Sequence, residues 1–306
     1  MSLPIGVGPD LSSIQGLIDE HVYPKLLEHA VPDARLHYRF SEFIPDFRGS
    51  TLAINHVRTL PEYKCAHTIL VTPDNSLELL RQRALEDGKK VLVATHQLKR
   101  GYVLLDPTRI DKTKFEIASI LDVMERPGLG RYLSLAELQD EGIYVDLWIT
   151  GFIAMTPRGV LLQESQNHIQ WQWRMLSYQG IIEHRTPLVG VGHDSQILDE
   201  KKFNVVEIKP QKDHVQYDII VSTDSTIRVN GAYKPSKSDC ETLLDGPISD
   251  NLSNIPSLAE VKGILMMNRI MRSHGIGQEN KKPQEPTSDE QMGIDIINRL
   301  MRDNKV

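Results

Sequence analysis

The sequence predicts an α/β protein with a Rossmann-like, mostly parallel sheet and flanking helices, followed by a helical C-terminal tail. Three observations predict it. Short apolar runs such as Val91-Leu92-Val93-Ala94 alternate with segments of helical periodicity, the pattern of parallel strands joined by crossover helices. The run 143–176, IYVDLWITGFIAMTPRGVLLQESQNHIQWQWRML, carries a buried strand through a turn into a helix. The 306 residues, 40% hydrophobic and 25% charged, have the composition of an ordinary globular protein.

Taken in order, Ser12 or Ser13 caps an amphipathic helix with Ile14, Leu17, Ile18, Val22, Leu26 and Leu27, ending near Val31-Pro32. A loop-rich stretch follows, in which IPDFRGS (44–50) combines Pro45 and Gly49 in an ordered turn. Thr72 caps a helix with Pro73 at its first position, and Gly88 stops it. Residues 91–94 read as a buried parallel strand. Helices are expected at 112–125 and at 134–140, the second opened by a Ser134/Glu137 capping box. Val145, Leu147, Ile149 and Phe152 mark a strand, Pro157 and Gly159 a turn, and Val160 to Leu162 resume as strand. From Ile169, Trp173 and Leu176 recur at helical spacing. One of Trp171 and Trp173 is expected to face inward and the other to lie along a neighbouring element, as packing groups. Strands at 187–193, more weakly 203–208, and 217–223 complete the alternation. The organisation expected is an α/β domain over 1–240, a linker over 241–256 and a tail over 257–306.

A formal charge of −6 and a pI near 6.0 disfavour a general nucleic-acid binder, which needs a basic face for phosphates. Cys65 and Cys240 are too few and too far apart for a zinc framework or a disulfide scaffold, which points to a reducing compartment. The sequence has neither a leader pattern at its start nor an apolar run of membrane-spanning length, so a cytoplasmic protein without membrane association is expected.

Ligands of such sheets bind beyond the carboxyl ends of the strands. Those ends bring THQLKRG (95–101), TGF (150–152), GHDS (192–195) and STDST (222–226). Lys99, Arg100 and Gly101 either offer cations and backbone N–H groups to a carboxylate or phosphate or form a solvated pair; Thr95 and His96 adjoin them. His193-Asp194 has the makings of an oriented acid/base pair. Adjacent residues on an extended strand point to opposite faces, so direct pairing needs a turn there. No nucleophile elbow, metal-ligand spacing, GxGxxG or GxxxxGK[ST] pattern is present, and no metal or cofactor is assigned from the residues.

The runs IPDFRGS, ILVTPDNSLELLRQRALEDGKKVLVATHQLKRGYVLLDP, VDLWITGFIAMTPRGVLL, GHDSQIL and YDIIVST together resemble the 5-formyltetrahydrofolate cyclo-ligase superfamily, more narrowly its methenyltetrahydrofolate synthetase domain-containing branch. The resemblance covers roughly residues 12 to 235 in collinear order. It implies a Rossmann-like domain of the NagB/RpiA/CoA-transferase type. It also implies the family chemistry, in which Mg-ATP phosphorylates the formyl oxygen of 5-formyltetrahydrofolate and closure by the other folate nitrogen expels phosphate, giving 5,10-methenyltetrahydrofolate. Relatives bring backbone N–H groups to the ATP phosphates on a glycine loop followed by Tyr and Asp. Here the three glycine positions hold Gln163, Ser165 and Asn167, the tyrosine position His168 and the aspartate position Gln170. The lysine position holds Glu164, and the family's His-Asp pair appears reversed as Asp213-His214; Asp146 does match. A side chain at each glycine position crowds the approach to phosphate. The resemblance therefore implies a retained scaffold with an eroded nucleotide loop, and Mg-ATP and folate are ligands only if the ancestral activity survives.

The tail repeats itself. GILMMNRIMRS (263–273) recurs as GIDIINRLMRD (293–303) at a register of 30 residues. Ile264, Met267 and Met271, like Ile294, Ile297 and Met301, fall at helical spacing, with Arg269 and Arg299 beside them. Two such helices on a polar, proline-containing linker are suited to docking into a protein partner with avidity, or to packing on their own domain. The function expected is a catalytically lapsed, cyclo-ligase-like binding or assembly module. The alternatives are an active ATP-dependent cyclo-ligase and an RNA-associated protein.

Overall fold

The computed structural model describes residues 11–32, 43–95, 98, 100–163, 168–203, 207–211, 213–246 and 255–273, with side chains from Ile14 to Ile270. The chain divides into two compact units, Met1–Lys262 and Gly263–Val306, and the first holds the sheet.

The expected N-terminal helix is a continuous run of α1 (Leu11–Leu17), a π-helical turn (Ile18–Val22) and α2 (Tyr23–His29). Pro24 supplies no N–H and its ring crowds the preceding turn, which accounts for the widening just before it. Ile18, Val22 and Leu26 are buried with Ile44, Ile153, Ala154 and Leu198. The stretch expected to be loop-rich holds α3 (Ser50–Thr59) and α4 (Pro61–Cys65). Gly49, at φ 92°, makes the turn into α3 that the sequence indicated.

Among the described residues the sheet has eight strands: β1 (Thr68–Val71), β2 (Lys90–Ala94), β3 (Tyr102–Leu105), β4 (Arg131–Leu133), β5 (Leu147–Gly151), β6 (Leu188–Val191), β7 (Ile219–Val221) and β8 (Thr226–Arg228). Their order is β4-β3-β2-β1-β5-β6-β7-β8. The central five, β2-β1-β5-β6-β7, are parallel, with Val71 opposite Val93 on one side and Ile149 on the other. The strands β3, β4 and β8 extend the edges antiparallel. This is the mostly parallel α/β sheet predicted from the sequence. It includes β1, a four-residue run too short to show a period.

The flanking helices are α5 (Glu78–Glu86), α6 (Phe115–Ser119), α7 (Leu135–Asp140), α8 (Ile169–Tyr178), α9 (Lys237–Asp245) and α10 (Pro256–Ser273). Alternate strand residues face opposite layers. Val71, Val93, Ile149 and Val191 share a core with Ile54, Val57, Leu80 and Phe115. Trp148 instead stacks on Trp173 of α8 at 6.0 Å, with ring planes 5° apart. Trp171 is half-buried beneath the Arg174 guanidinium, so the two tryptophans divide between inside and flank as expected.

Several boundaries differ from the sequence reading. Thr72 does not cap a helix: its hydroxyl turns to the Asp74 carboxylate, and a 3-10 turn at Asn75–Leu77 leads into α5. The helix expected over 112–125 is a 3-10 turn (Lys112–Lys114) plus α6. It stops at Ser119, whose hydroxyl bonds the Glu116 carbonyl and whose carbonyl accepts from Arg81. In place of the strand expected over Val160 to Leu162, the described residues form an isolated bridge between Leu161 and Met155. Near 203–208 the chain forms a 3-10 turn (Glu200–Phe203), Glu207 and Ile208 lie outside any strand, and 204–206 fall outside the described residues. The stop at Gly88 and the Ser134/Glu137 capping box are present as read, the latter with both reciprocal bonds. Residues 241–245, expected within a linker, belong to α9, where Cys240 and Leu244 are buried. No helix among the described residues is long and apolar enough to cross a membrane.

Candidate functional site at the carboxyl ends of the strands

The strand order reverses at β1, which has β2 on one side and β5 on the other, so the crevice of the fold lies beyond the ends of β1 and β5. Asp74 fills it. Its carboxylate accepts from the Gly151 N–H at 2.9 Å and from the Thr72 hydroxyl. A Cβ on Gly151 would lie 2.8 Å from Asp74 Oδ2, so this close approach requires glycine. Arg81, fully buried, donates from Nη1 to the carbonyls of Thr72 and Asp74, both at 3.1 Å, and from Nε to that of Ser119 at 2.9 Å. Burial pushes its pKa down to about 10, which leaves it charged at neutral pH. Sequence reasoning missed Asp74 and Arg81 because it missed β1; the run TILV followed by TPD was the available signal.

At the next strand ends the structure brings GHDS and STDST together. A 3-10 turn over Asp194–Gln196 supplies the bend that an adjacent His-Asp pair needs, but the two side chains diverge. His193 Nδ1 accepts from the Ser195 N–H at 3.1 Å and lies 2.9 Å from its hydroxyl. Asp194 accepts from the Ser222 hydroxyl at 2.6 Å and the Asp224 N–H at 3.2 Å. The His193 ring stacks on His29 of α2 at 4.0 Å, with Phe47 edge-on at 5.9 Å. Burial, then the neighbouring His29, push the His193 pKa below the ordinary histidine value, against the pull of Asp194 and Asp224. The result is an aromatic wall with an uncharged imidazole at neutral pH. Arg48 is exposed on the adjoining turn, where its N–H bonds the His29 carbonyl.

THQLKRG closes the β2–β3 hairpin. The Thr95 hydroxyl donates to the Gly101 carbonyl at 2.9 Å and accepts from the Arg100 N–H at 3.1 Å. Gly101 has φ 75° and packs against Leu133. The Arg100 guanidinium pairs with Glu125 and lies 4.9 Å from the Tyr132 ring centroid; His96 and Lys99 lie outside the described residues. Asp146 is at the opposite, amino end of the sheet. Its carboxylate accepts from the His67 and Thr68 N–H groups at 2.8 and 2.9 Å, capping the start of β1, so it is not brought together with His193.

At the β5–α8 junction Gln163 accepts from the Tyr23 hydroxyl at 2.8 Å; Glu164, Ser165 and Asn167 lie outside the described residues. His168 enters α8 in the left-handed conformation, φ 49° and ψ 49°, with no side-chain cap. Half-buried, its imidazole is pushed below the ordinary pKa. The Gln170 side-chain oxygen accepts from the Val215 N–H at 2.6 Å. Arg174 is paired with the Asp213 carboxylate at 3.0 Å and carbonyl at 2.9 Å, while burial lowers the His214 pKa. In the tail, Ile264 is half-buried, Met267 and Arg269 are exposed, and Met271 lies within α10 without a described side chain. Ile294, Ile297, Arg299 and Met301 lie outside the described residues.

No protein-family model matches the chain. It is 25% identical over 247 residues to the Mus musculus protein named methenyltetrahydrofolate synthase domain-containing protein, covering 77% of this chain and 62% of that one. The Bos taurus protein of the same name is 26% identical over 220 residues, covering 68% and 54%. The chain thus spans less than two thirds of these relatives. The solved 5,10-methenyltetrahydrofolate synthetase of Aquifex aeolicus superposes with a TM-score of 0.42 at 14% identity, covering 73% of this chain and 95% of that one. The sequence similarity falls on the superfamily branch that the motifs indicated.

Proposed function

We propose, for a cyclo-ligase-like chain whose curated relatives are methenyltetrahydrofolate synthase domain-containing proteins, that ATP-dependent ring closure has been lost and that the protein serves as a cytoplasmic binding or assembly module. The observation that carries this reading is the entry to α8. A phosphate-binding junction needs backbone N–H groups that a ligand can approach closely, and a positive field. Gln163, Glu164, Ser165 and Asn167 put side chains and a carboxylate where the family has glycines and a lysine. His168 is kept uncharged at neutral pH by burial. The Gln170 oxygen is engaged by Val215, and Arg174, the cation on α8, is engaged by Asp213. These residues do not fit a nucleotide triphosphate, and no step of the reaction is routed through one.

The binding role is assigned to the tail, whose repeated motif is suited to protein grooves. The catalytic half is tested by incubating the full chain with Mg-ATP and 5-formyltetrahydrofolate and following methenyltetrahydrofolate absorbance. No turnover above the enzyme-free control is expected; sustained, ATP-dependent turnover would overturn it. The binding half is tested by affinity capture with the intact chain and with 274–306 deleted. Specific partners are expected to vanish on deletion, and their full retention would contradict a tail-borne role.

A further inference from the structure

The N-terminal helical run ends over the carboxyl ends of β6 and β7. Ile18, Val22 and Leu26 anchor it in a core with Ile44, Ile153, Ala154 and Leu198. The last residue of α2, His29, then lays its imidazole on that of His193, with ring centroids 4.0 Å apart and planes 22° apart. Beside this stack Ala30 bridges Phe47, the Val31 N–H donates to the Asp46 carbonyl at 2.8 Å, and the Arg48 N–H donates to the His29 carbonyl at 2.8 Å. One protonation state of His193 fits these surroundings. A backbone N–H can only donate, and that of Ser195 is aimed at His193 Nδ1 at 3.1 Å, so Nδ1 carries a lone pair and not a proton. A proton on Nδ1 would set donor against donor and turn the ring out of its place. A proton on His29 as well would set two like charges face to face.

We propose that the His29–His193 stack is a proton-sensitive latch, which fastens the end of α2 over the carboxyl ends of β6 and β7 while both imidazoles are neutral and releases it when His193 takes up a proton. The inference goes beyond the function proposed above and does not depend on whether the sheet domain binds ATP. The groups facing His193 come from four directions: His29 from α2, Phe47 from the turn before α3, Asp194 and Ser195 from its own 3-10 turn, and Asp224 from the turn between β7 and β8. Asp194 and Asp224 favour the imidazolium, although the Asp194 carboxylate is taken by the Ser222 hydroxyl and the Asp224 N–H. Burial, then His29, oppose them and prevail, which holds the latched imidazole below its ordinary pKa of 6.5. A released imidazole, back in water, titrates near that ordinary value. The released form therefore binds the proton more tightly than the latched one, and a fall in pH through this range shifts the population toward release. Release uncovers Phe47 and opens the strand-end crevice from the His193 side.

Amide hydrogen exchange read by mass spectrometry on the full chain, from about pH 7.5 to about pH 5 and corrected for the intrinsic pH dependence of exchange, tests this. Protection over residues 26–31 and 193–196 is expected to fall at least about fivefold as His193 protonates, while β1 and β5 keep theirs. The midpoint should match the titration of the His193 imidazole read by NMR. His193→Phe keeps an aromatic ring on His29 without a titrating group, and should make protection over 26–31 independent of pH. His29→Phe leaves His193 beside an uncharged ring, so the transition should move to higher pH. Full protection of the wild type in acid, or an acid loss that survives in His193→Phe, would overturn the proposal. So would a wild-type exchange midpoint that departs from the His193 titration, a test that stands even where His193→Phe does not fold. Loss of protection in β1 and β5 together with 26–31 would also overturn it, since the event would then be unfolding of the whole sheet domain and not release of one contact.

Discussion

Asp74 occupies the space that Gly151 leaves in β5, and Arg81 ties the loop carrying that aspartate, through the Thr72 and Asp74 carbonyls, to the Ser119 carbonyl at the end of α6. Arg81→Met keeps the bulk but strands those carbonyls and the carboxylate above them. Breaking a buried charged network of this kind costs about 3–5 kcal/mol, and urea unfolding should register that loss. Gly159 is a sharper case. It has φ 76°, and a Cβ there would sit 2.3 Å from the Tyr217 carbonyl oxygen. Gly159→Ala is expected to cost about 2–3 kcal/mol, whereas Gly180→Ala, at φ 72° with open space around it, should cost only about 1 kcal/mol of backbone strain. Equal losses in thermal unfolding would refute the close-approach argument. Gly159 was legible as a turn residue, but its approach to Tyr217 was not, and neither was the role of Arg81, because those partners come from other elements. The Ser134/Glu137 box was legible because both partners lie within one turn.

At the scale of elements, what was legible follows length and period. The strands β2, β5, β6 and β7 are apolar runs bounded by turn residues, and α8 repeats its buried positions over ten residues. Three-residue β4 and β8 carry exposed arginines at their ends and are held by pairing to a neighbour, a nonlocal cause with no period to read. Helix α3 was hidden by His56 and Arg58, polar residues on a helix whose Ala53, Ile54 and Val57 do the packing. Of the candidate segments, GHDS and STDST follow the carboxyl ends of β6 and β7, as read separately from the sequence; that the imidazole turns to Ser195 and stacks on His29 was set by the arrival of α2, far away in sequence. Where the local signal is complete the energetics should be local too: Ser134→Ala removes one bond of the box at the start of α7 and should destabilise the fold by about 1 kcal/mol in chemical denaturation.

At the scale of the whole molecule, His168, His193 and His214 share a direction: burial holds each below its ordinary pKa of 6.5. The unfolded chain then binds more protons than the folded one as pH falls through that value. Stability is full above the ordinary histidine pKa and declines below it, toward the depressed folded values. The midpoint of urea unfolding should therefore fall between pH 7 and pH 5, with a shallower slope in His193→Gln and His168→Gln. An unchanged midpoint across that range would show that these imidazoles are not held neutral by the fold. The molecule otherwise reads as a mostly parallel α/β sheet domain whose sequence entering α8 carries no glycine and no lysine between Gln163 and Ile169, followed by a tail with a repeated sequence motif.

Titration calorimetry of the full chain with Mg-ATP tests the central claim most directly, because it reads the nucleotide site without requiring turnover. With Gln163, Glu164, Ser165, Asn167 and His168 leading into α8, no saturable heat is expected up to millimolar nucleotide, whether or not 5-formyltetrahydrofolate is present. Saturable one-to-one binding of Mg-ATP, strengthened by 5-formyltetrahydrofolate, would contradict the account and restore the chain to the working cyclo-ligases.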